Sequence, residues 1–165
     1  MKHIWSPWRR KYIESHGSGG GCIFCEALNQ NDQQALIVAR LPRAFAILNR
    51  YPYTGGHLMI VPVEHVDSIE KLPEETWLEM FALAKRALAA LRKVYRTPAF
   101  NLGANIGEPA GAGVADHVHL HVVPRWSGDT NFMSVLGQVR VLPESLEDTW
   151  TKLRNGWEDK TDREP

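Results

Sequence analysis

The sequence predicts an α+β fold: an antiparallel sheet of about five strands, one long helix laid on it, and a second helix near the C-terminus. Three observations predict it. Short apolar runs bounded by turn residues come in sequence without intervening helices, which argues against alternating βαβ units. A single stretch of three- and four-residue apolar spacing separates the third run from the fourth. The last run opens with histidines at alternate positions, His117-Val118-His119-Leu120-His121, and alternation is the period of a strand with two chemically different faces.

Ala35 to Ala39 and Ala44 to Leu48 read as two strands joined by the turn at Leu41-Pro42-Arg43. His57 to Val61 reads as the third, entered through Thr54-Gly55-Gly56. From Pro73 the period changes: Glu74 and Glu75 occupy a first turn, and Trp77, Met80, Phe81, Ala84, Leu88, Leu91 and Val94 mark one apolar stripe to about Lys93. Phe100 to Ile106 is the expected fourth strand and His117 to Val123 the fifth, separated by the glycine-rich run 107–113. A helix from about Glu144 to Trp157 closes the pattern. Three segments follow: an arm and glycine linker over 1–21, a catalytic domain over 22–140, and a C-terminal helix with a polar tail over 141–165.

The 165 residues are 44% hydrophobic and 23% charged, enough for one globular core. Lys plus Arg equals Asp plus Glu at 19 each, so no global field draws nucleic acid or an anionic membrane, and a phosphate ligand must be held locally. No apolar run reaches membrane-spanning length and no signal segment opens the chain, so a cytoplasmic protein is expected. The two cysteines, Cys22 and Cys25, have a spacing that favours metal ligation or redox chemistry in a reducing compartment. A thioredoxin-like site would need the pair to open a helix after a strand, and the flanks, glycines before and a polar stretch through Gln34 after, argue against it. Zinc would need two more ligands, which the seven histidines can supply. The opening Trp5-Ser6-Pro7-Trp8-Arg9-Arg10-Lys11-Tyr12 reads as an arm docked by its tryptophans.

On a strand the three imidazoles would share one face, neighbours roughly 6.5–7 Å apart. That is close enough to serve one substrate while doing different jobs, and imidazole is the side chain best poised for this near neutral pH. A row catalysing transfer competes with a metal site spread along it, since an H-x-H pair on a strand can ligate zinc.

The run His117-Val118-His119-Leu120-His121-Val122-Val123 resembles the defining motif of the histidine triad family, three histidines alternating with apolar residues. Leu48-Asn49-Arg50 with Thr54-Gly55-Gly56-His57-Leu58-Met59-Ile60-Val61-Pro62 is similar to that family's upstream nucleotide segment, and Cys22-Ile23-Phe24-Cys25 to the start of its zinc-bearing members. The resemblance implies an adenine nucleotide bound through its α-phosphate and attacked by the middle histidine, His119. It places His121 and His57 around the phosphate and leaving group, where they would donate hydrogen bonds to developing charge. It also implies a structural zinc on Cys22, Cys25, His65 and His117, and a homodimer or larger assembly, with a divalent cation able to accompany the substrate.

For the substrate the resemblance points to Asn49 at the ribose and Asn105 at phosphate, with Trp126 also expected to bind substrate; Phe24, Phe45, Ile47 and Leu48 form an apolar pocket that would accept any aromatic base. Gly111 and Gly113 belong to a loop whose backbone N–H groups can approach phosphate oxygens. Many hydrolase members carry Gln four residues before the first triad histidine, where Gly113 stands here. With Pro124-Arg125-Trp126 and Gly128-Asp129-Thr130-Asn131-Phe132-Met133, this resembles the bacterial branch that includes diadenosine tetraphosphate phosphorylases, in which inorganic phosphate replaces water. Nucleoside phosphoramidates and adenylylated conjugates are the rival substrates. Nucleotide binding without turnover is the rival class of function.

Overall fold

The computed structural model describes residues 21–129 and 143–157. The N-terminal arm, the segment after Asp129 and the polar tail lie outside them. The class is α+β as the sequence predicts, with five strands, β1 (Ile37–Arg40), β2 (Ala44–Leu48), β3 (Leu58–Pro62), β4 (Ala99–Gly103) and β5 (Leu120–Arg125). Every pairing is antiparallel and the spatial order is β1-β2-β3-β5-β4. Two short helices, α1 (Ile23–Leu28) and α2 (Asp32–Ala35), precede the sheet. The long α3 (Glu74–Tyr95) joins β3 to β4, and α4 (Leu146–Gly156) follows the sheet.

Antiparallel register sets the two faces. Ile37 pairs Ile47, Ile47 pairs Met59, Met59 pairs His121 and His121 pairs Gly103, so one row across the sheet carries apolar side chains and then an imidazole. Phe24, Ala27, Phe45 and Val61 join that face to form the smaller core. The opposite face carries Val38, Ala46, Leu48, Leu58, Ile60 and Val122, packed against Met80, Leu83, Ala84, Ala87 and Leu91 of α3.

Several elements differ from the sequence reading, each for a local reason. Ala35 belongs to α2, because Asn31 caps that turn by accepting a hydrogen bond from Gln33 N at 2.9 Å; the chain then turns through a left-handed Leu36 into β1. The segment after Cys22, read as a polar stretch, forms α1, so the cysteine pair does open a helix, though not one that follows a strand. β4 stops at Gly103. The stripe on α3 is rotated: Phe81 is 57% and Leu78 71% exposed, while Leu83, Ala87 and Ala90 are buried. Alanines at 87 and 90 let the helix axis approach the sheet, so the face with the smaller side chains packs inward.

α4 covers one edge of the sheet. Trp150 Nε1 donates to Ile37 O at 2.8 Å and Arg154 Nη1 to Val38 O at 3.0 Å, satisfying carbonyls of the edge strand β1. Gly56 lets the turn before β3 approach α3: at φ +78, a Cβ there would lie 2.8 Å from Leu91 Cδ2.

Candidate active site and metal centre

The row of imidazoles is not a continuous strand. β5 begins at Leu120, and His117 to His119 lie just before it, because Val118 N donates to Val66 O at 2.7 Å in the segment after β3. The rings therefore converge instead of standing in even steps, with His119 and His121 centroids 4.8 Å apart, edge to face.

Each ring has one nitrogen committed. His119 Nδ1–H donates to His117 O at 2.9 Å, which leaves Nε2 with its lone pair. Burial pushes the His119 imidazole below its ordinary range, against the bond to His117 O, which favours the charged form. Burial therefore favours the neutral ring, with the proton on Nδ1 and the lone pair on Nε2. Tyr53 N–H donates to His57 Nδ1 at 3.1 Å, so neutral His57 carries its proton on Nε2 and can donate it to His121 Nδ1 at 3.0 Å. That order leaves His121 with a hydrogen on Nε2, a donor for a charged oxygen. Tyr53 also lays its ring against both, 4.6 Å from His57 and 5.9 Å from His121.

His117 faces the other way. Its Nε2–H donates to Pro62 O at 2.9 Å, which turns Nδ1 toward Cys22, Cys25 and His65. Cys22 Sγ lies 3.2 Å and Cys25 Sγ 3.7 Å from that nitrogen; His65 Nδ1 lies 3.2 Å from it and 3.4 Å from Cys25 Sγ. A zinc tetrahedron with bonds of about 2.0–2.3 Å has edges of roughly 3.3–3.8 Å; these four separations lie close to that range, and all four ligand atoms lie within 4.8 Å of one another, a donor set of the kind that holds zinc. The carbonyl behind His117 is the partner a metal-bound imidazole ordinarily has. Burial pushes the His117 imidazole down to about 4, charge on His65 and His119 adding to the effect against the Pro62 bond. A neutral imidazole is the form that binds metal. Burial raises the Cys25 thiol, as does the neighbouring Cys22, and a metal would reverse this by binding the thiolate.

The remaining predicted residues divide. Phe45, fully buried, lies on the histidine face beside Phe24. Leu48, three residues further along the strand, packs on the opposite face with α3 and lines a recess with Asn49 and His57. Asn49 Oδ1 accepts from Tyr51 N at 2.8 Å, tying down the loop toward His57. Asn105 Nδ2 donates to Gly111 O at 3.3 Å, so it braces the glycine loop, where Gly107 and Gly111 have positive φ. Gly113 lies in that loop beside the buried Ala112. Trp126 starts a turn closed by Asp129, which accepts from Trp126 N and from both Nε and Nη2 of Arg125.

Tyr53 and the Pro62 carbonyl were not singled out in sequence, and Phe24 was read there only as part of the apolar pocket. For Tyr53 the available signal was a Pro-Tyr-Thr-Gly-Gly turn four residues before a histidine, short enough to fold an amide back onto the ring. A backbone carbonyl such as Pro62 leaves no sequence signal.

With this site on this sheet, the chain belongs to the histidine triad family. The HIT domain matches residues 30–128. The AP-4-A phosphorylase of Mycobacterium tuberculosis is 36% identical over 95% of this chain and 85% of its own. A zinc-bound histidine triad family protein from Mycobacterium smegmatis superposes with a TM-score of 0.66 and 28% identity, covering 82% of this chain and 92% of that one. A hypothetical histidine triad nucleotide-binding protein from Sulfolobus tokodaii gives the same score at 25% identity, over 82% of this chain and 91% of that one.

Proposed function

We propose that this protein is a nucleotidyl transferase that cleaves dinucleoside polyphosphates, diadenosine tetraphosphate foremost, and passes the nucleotidyl group to inorganic phosphate. The observation that carries the reading is His119: buried, neutral, and aimed by the His117 carbonyl so that Nε2 is the reactive atom. Nε2 attacks the α-phosphorus, the bond to the bridging oxygen breaks, and ATP leaves. His121 Nε2–H meets that oxygen as its charge develops, its own Nδ1 held by His57. A phosphate oxygen then displaces the imidazole, giving ADP and restoring neutral His119.

The glycine loop is the anion site of this scheme: the N–H groups of Ala110, Gly111 and Ala112 close the loop on its own carbonyls, and Gly113 leaves room where a glutamine would stand. The 36%-identical relative named for phosphorolysis of AP-4-A supports the choice of substrate and acceptor. A divalent cation on the polyphosphate is compatible with this scheme. Zinc, when bound to Cys22, Cys25, His65 and His117, would fill all four positions with protein and supply structure, tying α1 to the triad segment.

Product analysis tests the reading. Diadenosine tetraphosphate with phosphate should give ADP plus ATP, and rapid quenching should trap one nucleotidyl group on the peptide carrying His119. AMP plus ATP, unchanged by phosphate, makes the protein a hydrolase. Stoichiometric binding with no product makes it a nucleotide-binding module.

A further inference from the structure

Phe24 lies between the two cysteines and touches both halves of the site. Its ring meets His117 edge to face at 5.3 Å and lies tilted against His119 at 5.0 Å, and it is only 2% exposed. Within one short segment the chain therefore carries two candidate metal ligands and the aromatic ring that bears on the reactive imidazole.

One hydrogen bond at Nδ1 cannot orient His119 by itself, because the ring remains able to turn about the N–H···O axis. A flat side chain against the ring removes that freedom, and among the described aromatic side chains Phe24 and His121 are the ones in ring contact with it. What holds Phe24 there is the next question. α1 has six residues, too few to be stable alone, and its N-cap, Cys22, makes no side-chain capping bond. Its C-terminal end is tied to β1 by Arg40 Nη1 donating to Leu28 O at 3.4 Å, and its first turn is anchored by the burial of Phe24 and the convergence of Cys22 and Cys25 with His65 and His117.

We propose that Phe24 is a positioning residue for His119 and that the metal centre acts on the reaction through it. Metal on Cys22 and Cys25 fixes α1, α1 fixes Phe24, and Phe24 fixes the plane of the nucleophile. Metal loss then changes the presentation of His119 as well as stability. The inference rests on the proposed role of His119, and its primary readout needs no substrate.

The readout is the rate at which diethyl pyrocarbonate modifies His119, followed by peptide mass spectrometry in zinc-loaded, chelator-treated and reloaded protein, with Phe24→Leu alongside. Chelation should raise the rate several-fold and reloading should restore it. Phe24→Leu should keep its zinc, show the raised rate with metal present, and no longer respond to chelation. Its kcat should fall about tenfold or more with KM within about threefold of the parent, since orientation and not affinity is lost. A His119 rate indifferent to zinc overturns the proposal, as does a Phe24→Leu effect confined to KM. If Phe24→Leu does not fold, the chelation arm on the unaltered chain decides alone. If that arm responds while diadenosine tetraphosphate is not turned over, the proposed reaction fails and the coupling stands.

Discussion

Every imidazole of the site gives one nitrogen to a group the fold supplies, and that decides what its other nitrogen can do. His119 and His117 have the same side chain and lie two residues apart, yet one uses Nδ1 to donate to a carbonyl and the other uses Nε2. The first is left with a lone pair on Nε2, the atom proposed to attack phosphorus, and the second with Nδ1 turned toward Cys22, Cys25 and His65. His119→Ala should lower turnover at least about 10³-fold while nucleotide binding, read by calorimetry, persists; near-normal turnover would reject the mechanism. His57→Ala removes the group that fixes the His121 tautomer. It should cost about a hundredfold in kcat with little change in binding, and an unchanged kcat in steady-state assays would show that His121 needs no partner.

At the scale of elements, helix ends carry the clearest expectations. α3 ends in Arg96 with φ +52, a left-handed residue whose side chain is exposed. Arg96→Gly should stabilise the fold by about 0.5–1 kcal/mol, measured by denaturant unfolding. Leu36 has φ +63 as well, but it is buried, so the same replacement there loses packing and should destabilise. At the entry to α4, the Glu144 carboxylate accepts from Tyr95, Thr149 and Lys152 and lines a recess shared with Asn49 and His57. Burial works to raise this carboxyl, and its three donors more than offset that, so it stays below the ordinary value of 4.5. A depressed carboxyl contributes stability above its unfolded value and loses it as pH falls through the folded one. Stability should therefore decline from about pH 4.5 downward, and Glu144→Gln should flatten that decline in melts taken across the range. A variant whose acid profile overlies the parent's would place the acid sensitivity elsewhere.

For the whole molecule, the two sheet edges are treated differently. β1 is covered by α4, whereas β4 pairs only with β5 among the described residues and is exposed along most of its length. Its Leu102 is 44% exposed, and elsewhere α3 exposes Leu78 and Phe81, Trp77 stacking on Phe81. An open edge strand and exposed apolar side chains fit a second copy of the chain related by a two-fold axis. Light scattering should report about twice 18.7 kDa, and Phe81→Asp should lower it toward that single-chain mass; 18.7 kDa across micromolar concentrations would exclude the dimer. Elemental analysis should find about one zinc per chain, and Cys22→Ser should lower both zinc content and melting temperature.

How much was legible in the sequence follows from which interactions are local. The α+β class, the long helix and the five strands could be read in advance, because strand alternation and helical spacing are properties of neighbouring residues. The family resemblance, not the spacing, supplied the expected role of His119 and the set Cys22, Cys25, His65 and His117, whose ligand atoms the fold brings within 4.8 Å of one another. What the sequence left open depends on contacts between distant segments. Val66 O draws Val118 out of the ladder and starts β5 three residues late; small alanines at 87 and 90 rotate α3; and Leu48, an odd number of residues from Phe45, takes the other face. The division of labour among four histidines is of the same kind. A tautomer is set by whichever carbonyl or amide the folded chain brings to the ring, and Pro62 O, His117 O and Tyr53 N reach those rings only when the sheet and its loops have closed around them.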